Sequence, residues 1–311
     1  MDFCELNIIS SKQFHSREDL GKVFTLAKRL EPIAHAKEYC GILKDKMIAT
    51  LFYEPSTRTK LSFQAAAQRL GAKIISESGI HGSSLEKGES LEDTLRMLEN
   101  YADLIIMRHP EPGIAEKVSK VVSKPFINAG DGSGEHPTQA LLDMYTILKE
   151  QGKVDNLHIT LVGDLKNGRT VHSLIYLLKH YKVDLNLISP SELSMPENII
   201  QDLKESGCNI QVGHSLKEAI ADTDVLYMTR IQKERFKNID DYERLKNSFI
   251  LNSELLKEAK ESITILHPLP RITEIDESVD SHKGAAYFRQ AGNGVPVRMA
   301  LILLLLGYDS V

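Results

Sequence analysis

At 311 residues the chain exceeds the size at which one hydrophobic core usually keeps growing, so we predict two domains. A composition of 42% hydrophobic and 26% charged residues is typical of a soluble globular protein. The net charge is −5, and there is no basic block, RNP-like motif or zinc-finger spacing, which argues against nucleic acid as a partner.

Cysteine usage and the two chain ends favour a cytoplasmic protein. The cysteines Cys4, Cys40 and Cys208 are odd in number and far apart, which suits a reducing compartment better than a disulfide framework. Residues 1–10 lack a basic n-region and predict no signal peptide. The apolar stretch 299–306 is too short to span a bilayer and predicts a helix docked on the core.

Short apolar segments alternate with helical patterns along the chain. The first helix is predicted over residues 17–37, with a break near Pro32. Strands are predicted at 47–52, 73–76, 103–107, 124–129, 157–162, 183–188, 209–212, 225–228, 249–251 and 264–266. Further helices are predicted at 58–70, from Ser90 onward, and at 138–149, 170–180 and 296–306. This alternation predicts an α/β fold built on parallel sheets.

A polar stretch near the middle of the chain, residues 151–156, marks the predicted domain boundary. We expect one domain over residues 1–140 and another over 150–288, each a parallel sheet flanked by helices. The closing helix, within residues 291–311, is expected to pack back on the first domain.

A candidate anion site follows the first predicted strand. Residues 52–61 read FYEPSTRTKL, in which a Glu-Pro turn precedes a Ser that can cap a helix. Ser56, Thr57, Arg58 and Thr59 then occupy the cap and first turn, where backbone N–H groups lack intrahelical partners. Those N–H groups, the hydroxyls and the guanidinium together suit a phosphate. The alternative is an ordinary N-cap followed by a solvated arginine.

Polar residues also follow the other predicted strands. They are Arg108, His136, Gln139, Arg169, Arg230, Gln232 and residues 267–271. Because ligands of parallel α/β sheets bind beyond the carboxyl ends of strands, we predict that these residues form binding sites. Each has a structural alternative, namely a surface arginine, a histidine that only donates or accepts a structural hydrogen bond, or solvated charge at a helix start.

The segment His267-Pro268-Leu269-Pro270 has an unusual supply of hydrogen-bonding groups. Two prolines remove two N–H donors and leave the carbonyls, so the segment is a row of acceptors and not an interior strand. The Leu269–Pro270 bond is a candidate cis peptide. The carbonyls would suit an amide or ammonium donor, and a plain structural turn is the alternative.

Several other sites are disfavoured. His109, His136 and His267 lack metal-ligand spacing. Residues 163–170 (GDLKNGRT) lack the G-x-G-x-x-G spacing of dinucleotide sites, and the chain contains no P-loop motif for a nucleoside triphosphate.

With these motifs in order, the chain resembles the aspartate carbamoyltransferase family over nearly its whole length. The matching stretches are FYEPSTRT (52–59), KGE (87–89), MRHP (107–110), NAGDGSGEHPTQALLD (128–143), GDLKNGRTVH (163–172), YMTRIQKER (227–235), HPLPR (267–271) and QAGNG (290–294). The resemblance implies carbamoyl transfer from carbamoyl phosphate to L-aspartate in pyrimidine synthesis, with the active site in a cleft between the two domains. It implies no cofactor and no catalytic metal.

The resemblance also implies a role for each candidate residue. Phosphate would be held by Ser56, Thr57, Arg58, Thr59 and Arg108. The carbamoyl carbonyl would be polarised by Thr59, Arg108 and His136. The carbamoyl amide would be held by Gln139 and by the carbonyls of Leu269 and Pro270. The carboxylates of aspartate would be fixed by Arg169, Arg230 and Gln232.

A loop carrying Ser83 and Lys87 would reach the active site of a neighbouring subunit, which implies a homotrimer with shared sites. Lys87 would thereby join the catalytic residues Arg58, Thr59, Arg108 and His136. Whether the loop serine is Ser83 or Ser84 stays open, as does the binding of separate regulatory chains.

Two positions depart from the family pattern, Lys60 where a second arginine is frequent and Glu86 where a basic or neutral residue is frequent. Neither bears on the reaction type. The sequence shows no convincing general base, so the departing phosphate dianion is expected to take the amine proton.

The nearest alternative is an ornithine carbamoyltransferase, whose pattern has a cysteine within the His-x-Leu-Pro segment. Here position 268 is proline, and Arg230 with Gln232 suits a dicarboxylate. A non-catalytic binding protein would be expected to lack Arg58, Arg108 or His136, and all three are present. A nicotinamide dehydrogenase is disfavoured because the glycine fingerprint is missing.

Overall fold

The computed structural model describes residues 3–5, 7–79 and 84–310 of the chain. The chain divides into two compact units. Unit 1 comprises Met1–Leu142 and Asn293–Val311, and unit 2 comprises Asp143–Gly292. Two parallel sheets flanked by helices confirm the predicted fold class.

Unit 1 contains a parallel sheet of four described strands. They are β1 (Met47–Phe52), β2 (Lys73–Ser78), β3 (Leu104–His109) and β4 (Phe126–Asp131), in the order β2-β1-β3-β4. All neighbouring strands run parallel. Their carboxyl ends therefore share one edge of the sheet, which is where ligands bind in this kind of fold.

Helices cover the sheet of unit 1. They are α1 (Arg17–Ala34), α2 (Thr57–Arg69), α3 (Leu91–Leu98) and α4 (Ile114–Ser119). The Ser90 hydroxyl accepts the Asp93 N–H at 3.1 Å and so caps α3, as predicted. On one side of the sheet, apolar residues of α3 and α4 pack against Ala49, Leu51 and Ile105 in a continuous core.

Unit 2 contains a second parallel sheet, with five described strands. They are β5 (His158–Val162), β6 (Asp184–Ile188), β7 (Asn209–Gly213), β8 (Val225–Met228) and β9 (Thr264–Leu266), in the order β7-β6-β5-β8-β9. The helices of this unit are α6 (Arg169–Leu178), α7 (Glu197–Glu205), α8 (Leu216–Ala219) and α9 (Ile239–Leu245). All described strand pairs are again parallel.

Two further helices are α5 (Pro137–Gln151) and α10 (Tyr287–Leu305). Residues 299–303 of α10 are fully buried, which confirms the predicted helix docked on the core. In unit 1, the buried Arg298 on α10 donates to the Ser62 hydroxyl at 2.9 Å. The same guanidinium lies 4.9 Å from the ring centre of Phe63, so α10 is tied to α2.

Three element predictions are wrong in part or whole. Residues 249–251 form only an isolated bridge from Leu251 to Ile275, because the facing segment is a loop and not a strand. Helix α10 begins at Tyr287 instead of residue 296 and accommodates Pro296 in its interior. Helix α1 continues through Pro32 to Ala34, so the proline marks its last turn and not its end.

Across the part of the chain that the structure describes, no helix combines the length and apolar character needed to cross a bilayer.

Candidate active site

The turn between β1 and α2 carries the first group of candidate residues. Ser56 occupies the N-cap of α2, as predicted, with an extended backbone (φ −160°, ψ 100°). Its hydroxyl makes no capping hydrogen bond, and the helix starts instead from its carbonyl, which accepts the Lys60 N–H at 3.2 Å. Thr59 is buried, whereas Thr57 and Arg58 are exposed. The first turn of α2 therefore offers N–H groups, hydroxyls and a guanidinium to an anion.

Arg108 lies at the same edge of the sheet. It is within β3, where it pairs with Phe52, and not beyond the strand end as predicted. The strand continues because the Arg108 carbonyl accepts the Tyr53 N–H at 2.9 Å. The Arg108 side chain is only 9% exposed, and its Nε lies 3.2 Å from a carboxylate oxygen of Glu54. A buried guanidinium is thus held in place by the turn that leads to Ser56.

His136 and Gln139 belong to the start of α5. His136 is 4% exposed and directly precedes Pro137, the first residue of the helix. The Gln139 N–H donates to the His136 carbonyl at 3.0 Å, so both residues sit on the first turn. The helix predicted over residues 138–149 begins one residue earlier, with a proline at its first position.

The glycine-rich loop before His136 has a structural role that was not predicted. Gly132 has φ +51°, and a Cβ there would overlap the Pro110 carbonyl oxygen, so this glycine lets two loops pack together. Asp131 then accepts the Glu135 N–H and the Gly113 N–H, each at 2.7 Å. These bonds fix the approach to His136.

In unit 2, Arg169 and Gln232 are linked through the loop before α6. Arg169 is the first residue of α6. The Gln232 amide donates to the Asn167 carbonyl at 3.1 Å, which brings the segment after β8 to the segment after β5. The two candidate residues therefore lie at one edge of this sheet.

Arg230 is held by an acidic residue of its own segment. Its Nη1 donates to a Glu234 carboxylate oxygen at 3.0 Å, and its Nη2 bonds the other oxygen. The hydrogen bond from Arg230 lowers the pKa of Glu234. The same hydrogen bond raises the pKa of Arg230. Glu234 was missed as a partner, although its i,i+4 spacing from Arg230 is a readable signal.

The segment after β9 confirms one local prediction, because the Leu269–Pro270 peptide is cis. Leu269 has φ +56°, a conformation that few non-glycine residues adopt. Leu269 is half-buried and Pro270 is exposed. The two carbonyls thus belong to a turn and not to a strand.

The loop between β2 and α3 carries the predicted loop residues, of which only part is described. Ser83 lies outside the described residues. Lys87 ends a short 3₁₀ turn, Leu85–Lys87, and is exposed. Within the described ranges, no group of three or more His, Cys, Asp or Glu side chains could hold a metal ion.

The chemistry of each edge follows from these residues. The edge of unit 1 gathers a buried guanidinium, an exposed guanidinium, hydroxyls and an imidazole, which suits a phosphorylated compound with a polar carbonyl. The edge of unit 2 gathers Arg169, Arg230 and Gln232, which suits carboxylates.

This fold and these strand-end residues define a class of two-domain carbamoyl-transferring enzymes, and sequence comparison agrees. Residues 7–149 match the carbamoyl-P binding domain of aspartate/ornithine carbamoyltransferases, and residues 155–305 match the Asp/Orn binding domain. The chain belongs to the aspartate/ornithine carbamoyltransferase family.

Individual relatives point toward the aspartate branch. The chain is 50% identical to an aspartate carbamoyltransferase catalytic subunit of Thermococcus kodakarensis, over 100% of both chains. It is 50% identical to the multifunctional protein pyr1-3 of Dictyostelium discoideum, covering 97% of this chain but only 13% of that much longer protein. The crystal structure of Trypanosoma cruzi aspartate transcarbamoylase with carbamoyl phosphate and aspartate is 40% identical, with a TM-score of 0.91 and 96% coverage of both chains.

Proposed function

We propose that this chain transfers the carbamoyl group of carbamoyl phosphate to the amine of L-aspartate, giving N-carbamoyl-L-aspartate and phosphate in pyrimidine biosynthesis. The observation that carries the proposal is the buried Arg108, which lies beside the Ser56 turn at one sheet edge of a chain with this family membership. The relatives named aspartate carbamoyltransferase support L-aspartate as the acceptor.

Unit 1 binds carbamoyl phosphate in this proposal, and unit 2 binds L-aspartate. The phosphate is held by Ser56, Thr57, Arg58, Thr59 and Arg108. Arg169, Arg230 and Gln232 bind the aspartate carboxylates. Gln139 and the carbonyls of Leu269 and Pro270 accept hydrogen bonds from the carbamoyl amide and orient it. The match of residues 7–149 to a carbamoyl-P binding domain supports the first assignment.

The reaction follows from where charge develops. The aspartate nitrogen attacks the carbamoyl carbon, a C–N bond forms, and the C–O bond to phosphate breaks with its electron pair leaving on phosphate. Negative charge grows on the carbonyl oxygen, which Thr59, Arg108 and His136 stabilise. One such preorganised donor is typically worth about 2.7–4 kcal/mol, or roughly 10² to 10³ in rate.

The amine proton leaves with the phosphate in this proposal. A phosphate dianion is basic enough to accept a proton from the attacking amine. A thiophosphate or other leaving group of altered basicity should change the rate. A rate that is indifferent to leaving-group basicity would contradict this step.

The assembly is proposed as a cytoplasmic homotrimer in which Ser83 and Lys87 of one subunit complete the site of the next. Lys87 is exposed in its own subunit, so its side chain is accessible to a neighbouring subunit. Mixing Arg58→Ala and Lys87→Ala chains tests it, because hybrid trimers would then contain some intact sites. Regained activity after mixing is expected, and unchanged inactivity would contradict shared sites.

The decisive experiment is an assay of the purified chain with carbamoyl phosphate and either L-aspartate or L-ornithine. We expect turnover with aspartate, abolished by Arg58→Ala in a chain that still unfolds cooperatively. Lys12→Ala, at an exposed position, serves as the matched control for loss of one cation. Preference for ornithine would overturn the proposed acceptor.

A further inference from the structure

The turn 268–270 contains the two proposed carbonyl acceptors, but its two prolines leave it few backbone N–H groups that could anchor it by hydrogen bonds. Pro268 and Pro270 have no N–H, so Leu269 carries the one backbone donor of the three residues. Proline rings fix φ at both flanking positions. The orientation of the Leu269 carbonyl therefore depends on the torsions of Leu269 itself, where φ is +56°.

His267 holds that donor. Its ring is 1% exposed, and Nδ1 accepts the Leu269 N–H at 2.8 Å. Because a backbone N–H can only donate, Nδ1 carries no proton and the ring proton sits on Nε2. Nε2 lies 2.7 Å from Oε1 of Glu274 and donates to it. The hydrogen bonds thus select one tautomer of the imidazole.

Glu274 is placed to receive this proton donor as a carboxylate. It is 5% exposed and accepts the Ile272 N–H at 3.2 Å and the Thr273 N–H at 3.1 Å from one oxygen. Burial raises the pKa of Glu274, but the hydrogen bond from His267 and those from the backbone outweigh it, so the pKa is lowered overall. The carboxylate closes the turn behind His267.

The backbone of His267 is held separately from its ring. Its N–H donates to the Gln290 side-chain oxygen at 2.8 Å, and the Gln290 amide donates to Asp143 at 2.6 Å. The other Asp143 oxygen accepts the Tyr227 hydroxyl at 2.7 Å. Main chain and ring are therefore anchored on different elements of unit 2, which leaves His267 little freedom.

We propose that His267, backed by Glu274, is a positioning residue that sets the Leu269 backbone so that the Leu269 and Pro270 carbonyls meet the carbamoyl amide. The inference rests on the proposed function, since it assigns those carbonyls to the substrate. His267 does not touch the reacting atoms in this assignment. It acts through the Leu269 N–H.

Two substitutions distinguish the role of Nδ1 from the role of Nε2. In His267→Asn the side-chain oxygen reaches the place of Nδ1 and accepts the Leu269 N–H, as in an Asx turn, but the contact with Glu274 is lost. In His267→Gln the longer amide reaches the place of Nε2 and donates to Glu274, but the acceptor for Leu269 is lost. Each variant therefore breaks one of the two contacts.

We expect the asparagine variant, which keeps an acceptor for the Leu269 N–H, to stay within about tenfold of wild-type kcat/KM for carbamoyl phosphate. The glutamine variant should lose about 10²-fold, the scale of an acceptor misplaced by an ångström. Asp224→Asn is the control for stability, because that carboxylate accepts the His158 N–H at 2.9 Å and the Lys260 ammonium at 2.7 Å at the amino ends of the strands.

The outcomes distinguish this inference from the proposed function. If the wild type is active and the two His267 variants lose the same activity, the inference alone is overturned. It is also overturned if each variant's loss of activity is no larger than its drop in urea midpoint predicts, as calibrated with Asp224→Asn. A wild-type chain without carbamoyl transfer to aspartate overturns the proposed function and the inference with it. If one His267 variant does not fold, the other tests the inference alone. Full activity in His267→Gln, or a loss of about 10²-fold in His267→Asn, overturns the inference.

Discussion

In each sheet one strand ends at a His-Pro turn. In both turns Nδ1 of the histidine accepts a backbone N–H from two residues later, but the surroundings of the ring differ. In unit 1, Nδ1 of His109 accepts the Glu111 N–H at 3.1 Å. In unit 2, Nδ1 of His267 accepts the Leu269 N–H at 2.8 Å. Beyond that bond they differ, because the His109 ring is half-buried and meets the Tyr53 ring edge-on at 5.9 Å, whereas His267 is buried against Glu274.

The difference follows where the functional groups lie. In unit 1 the proposed functional side chain, Arg108, precedes the histidine and is already held by the strand. The turn needs only to end the strand. In unit 2 the proposed functional carbonyls follow the histidine and lie in the turn itself, so the turn must be anchored. The same His-Pro motif therefore makes more stabilising contacts in unit 2, where the proposed site lies beyond the end of the strand.

Removing Arg108 should break the unit 1 site most severely. Arg108→Ala deletes a buried donor proposed to contact both phosphate and carbonyl oxygen, and we expect kcat to fall by about 10³ or more, the upper range for one such donor. Steady-state kinetics of the purified variant measure this. Arg96→Ala, which removes an exposed arginine paired with Asp93 at 3.6 Å, should leave kcat unchanged. Retention of a tenth of wild-type turnover by Arg108→Ala would refute its role.

Removing Arg230 should affect the substrates unequally. We expect Arg230→Ala to raise KM for aspartate by roughly 10- to 10²-fold, the scale of a hydrogen bond between charged groups, with a smaller change in KM for carbamoyl phosphate. The exposed Lys237 provides a neighbouring cation for the control, Lys237→Ala. Equal effects on the two KM values would place Arg230 in a shared role instead of an aspartate-binding one.

The hydrogen bonds that anchor His267 in unit 2 should also contribute to the free energy of unfolding. Tyr227 is fully buried, and burial is the first cause that raises its pKa, followed by the charge of Asp143. Tyr227→Phe leaves Asp143 short of one donor, and we expect a loss of about 1–3 kcal/mol in the free energy of unfolding. In unit 1, Tyr53→Phe removes a longer bond of 3.4 Å to Glu77 and should cost less. Urea titrations compare the pair, and a larger loss in Tyr53→Phe would reverse the comparison.

The residues at the sheet edges could be predicted from sequence because parallel strands place their carboxyl ends together. That rule indicated His136 and Arg230 as candidates, and the helix start after the first strand indicated Arg58. Neither signal could indicate which carboxylate meets which cation. Glu54 reads as part of a turn signal, and only the pairing of Phe52 with Arg108 brings its carboxylate to the guanidinium.

The supporting contacts were less predictable for a related reason. His267 and Glu274 are seven residues apart across a turn with φ +56° at Leu269, and no periodic pattern places them together. The failed strand at 249–251 has the same origin, since a short apolar run pairs only if its neighbour is extended. Local patterns thus indicated which residues face the edge, but not how loops fold back on them.

The smallest expected effect tests the His109 side of the comparison. Burial lowers the pKa of His109 below its usual 6.5, so protonation favours the unfolded chain. The contribution of this group is therefore fully present above pH 6.5 and is lost as the pH falls through that value toward the lowered pKa of the folded state. His109→Asn keeps an acceptor for the Glu111 N–H through an Asx turn but removes the titration. We expect the urea midpoint of this variant to fall less than that of the wild type between pH 8 and about pH 5.5. Because the ring is only half-buried, solvent screening keeps the difference modest, and parallel midpoint curves for the two proteins would show that His109 does not sense pH.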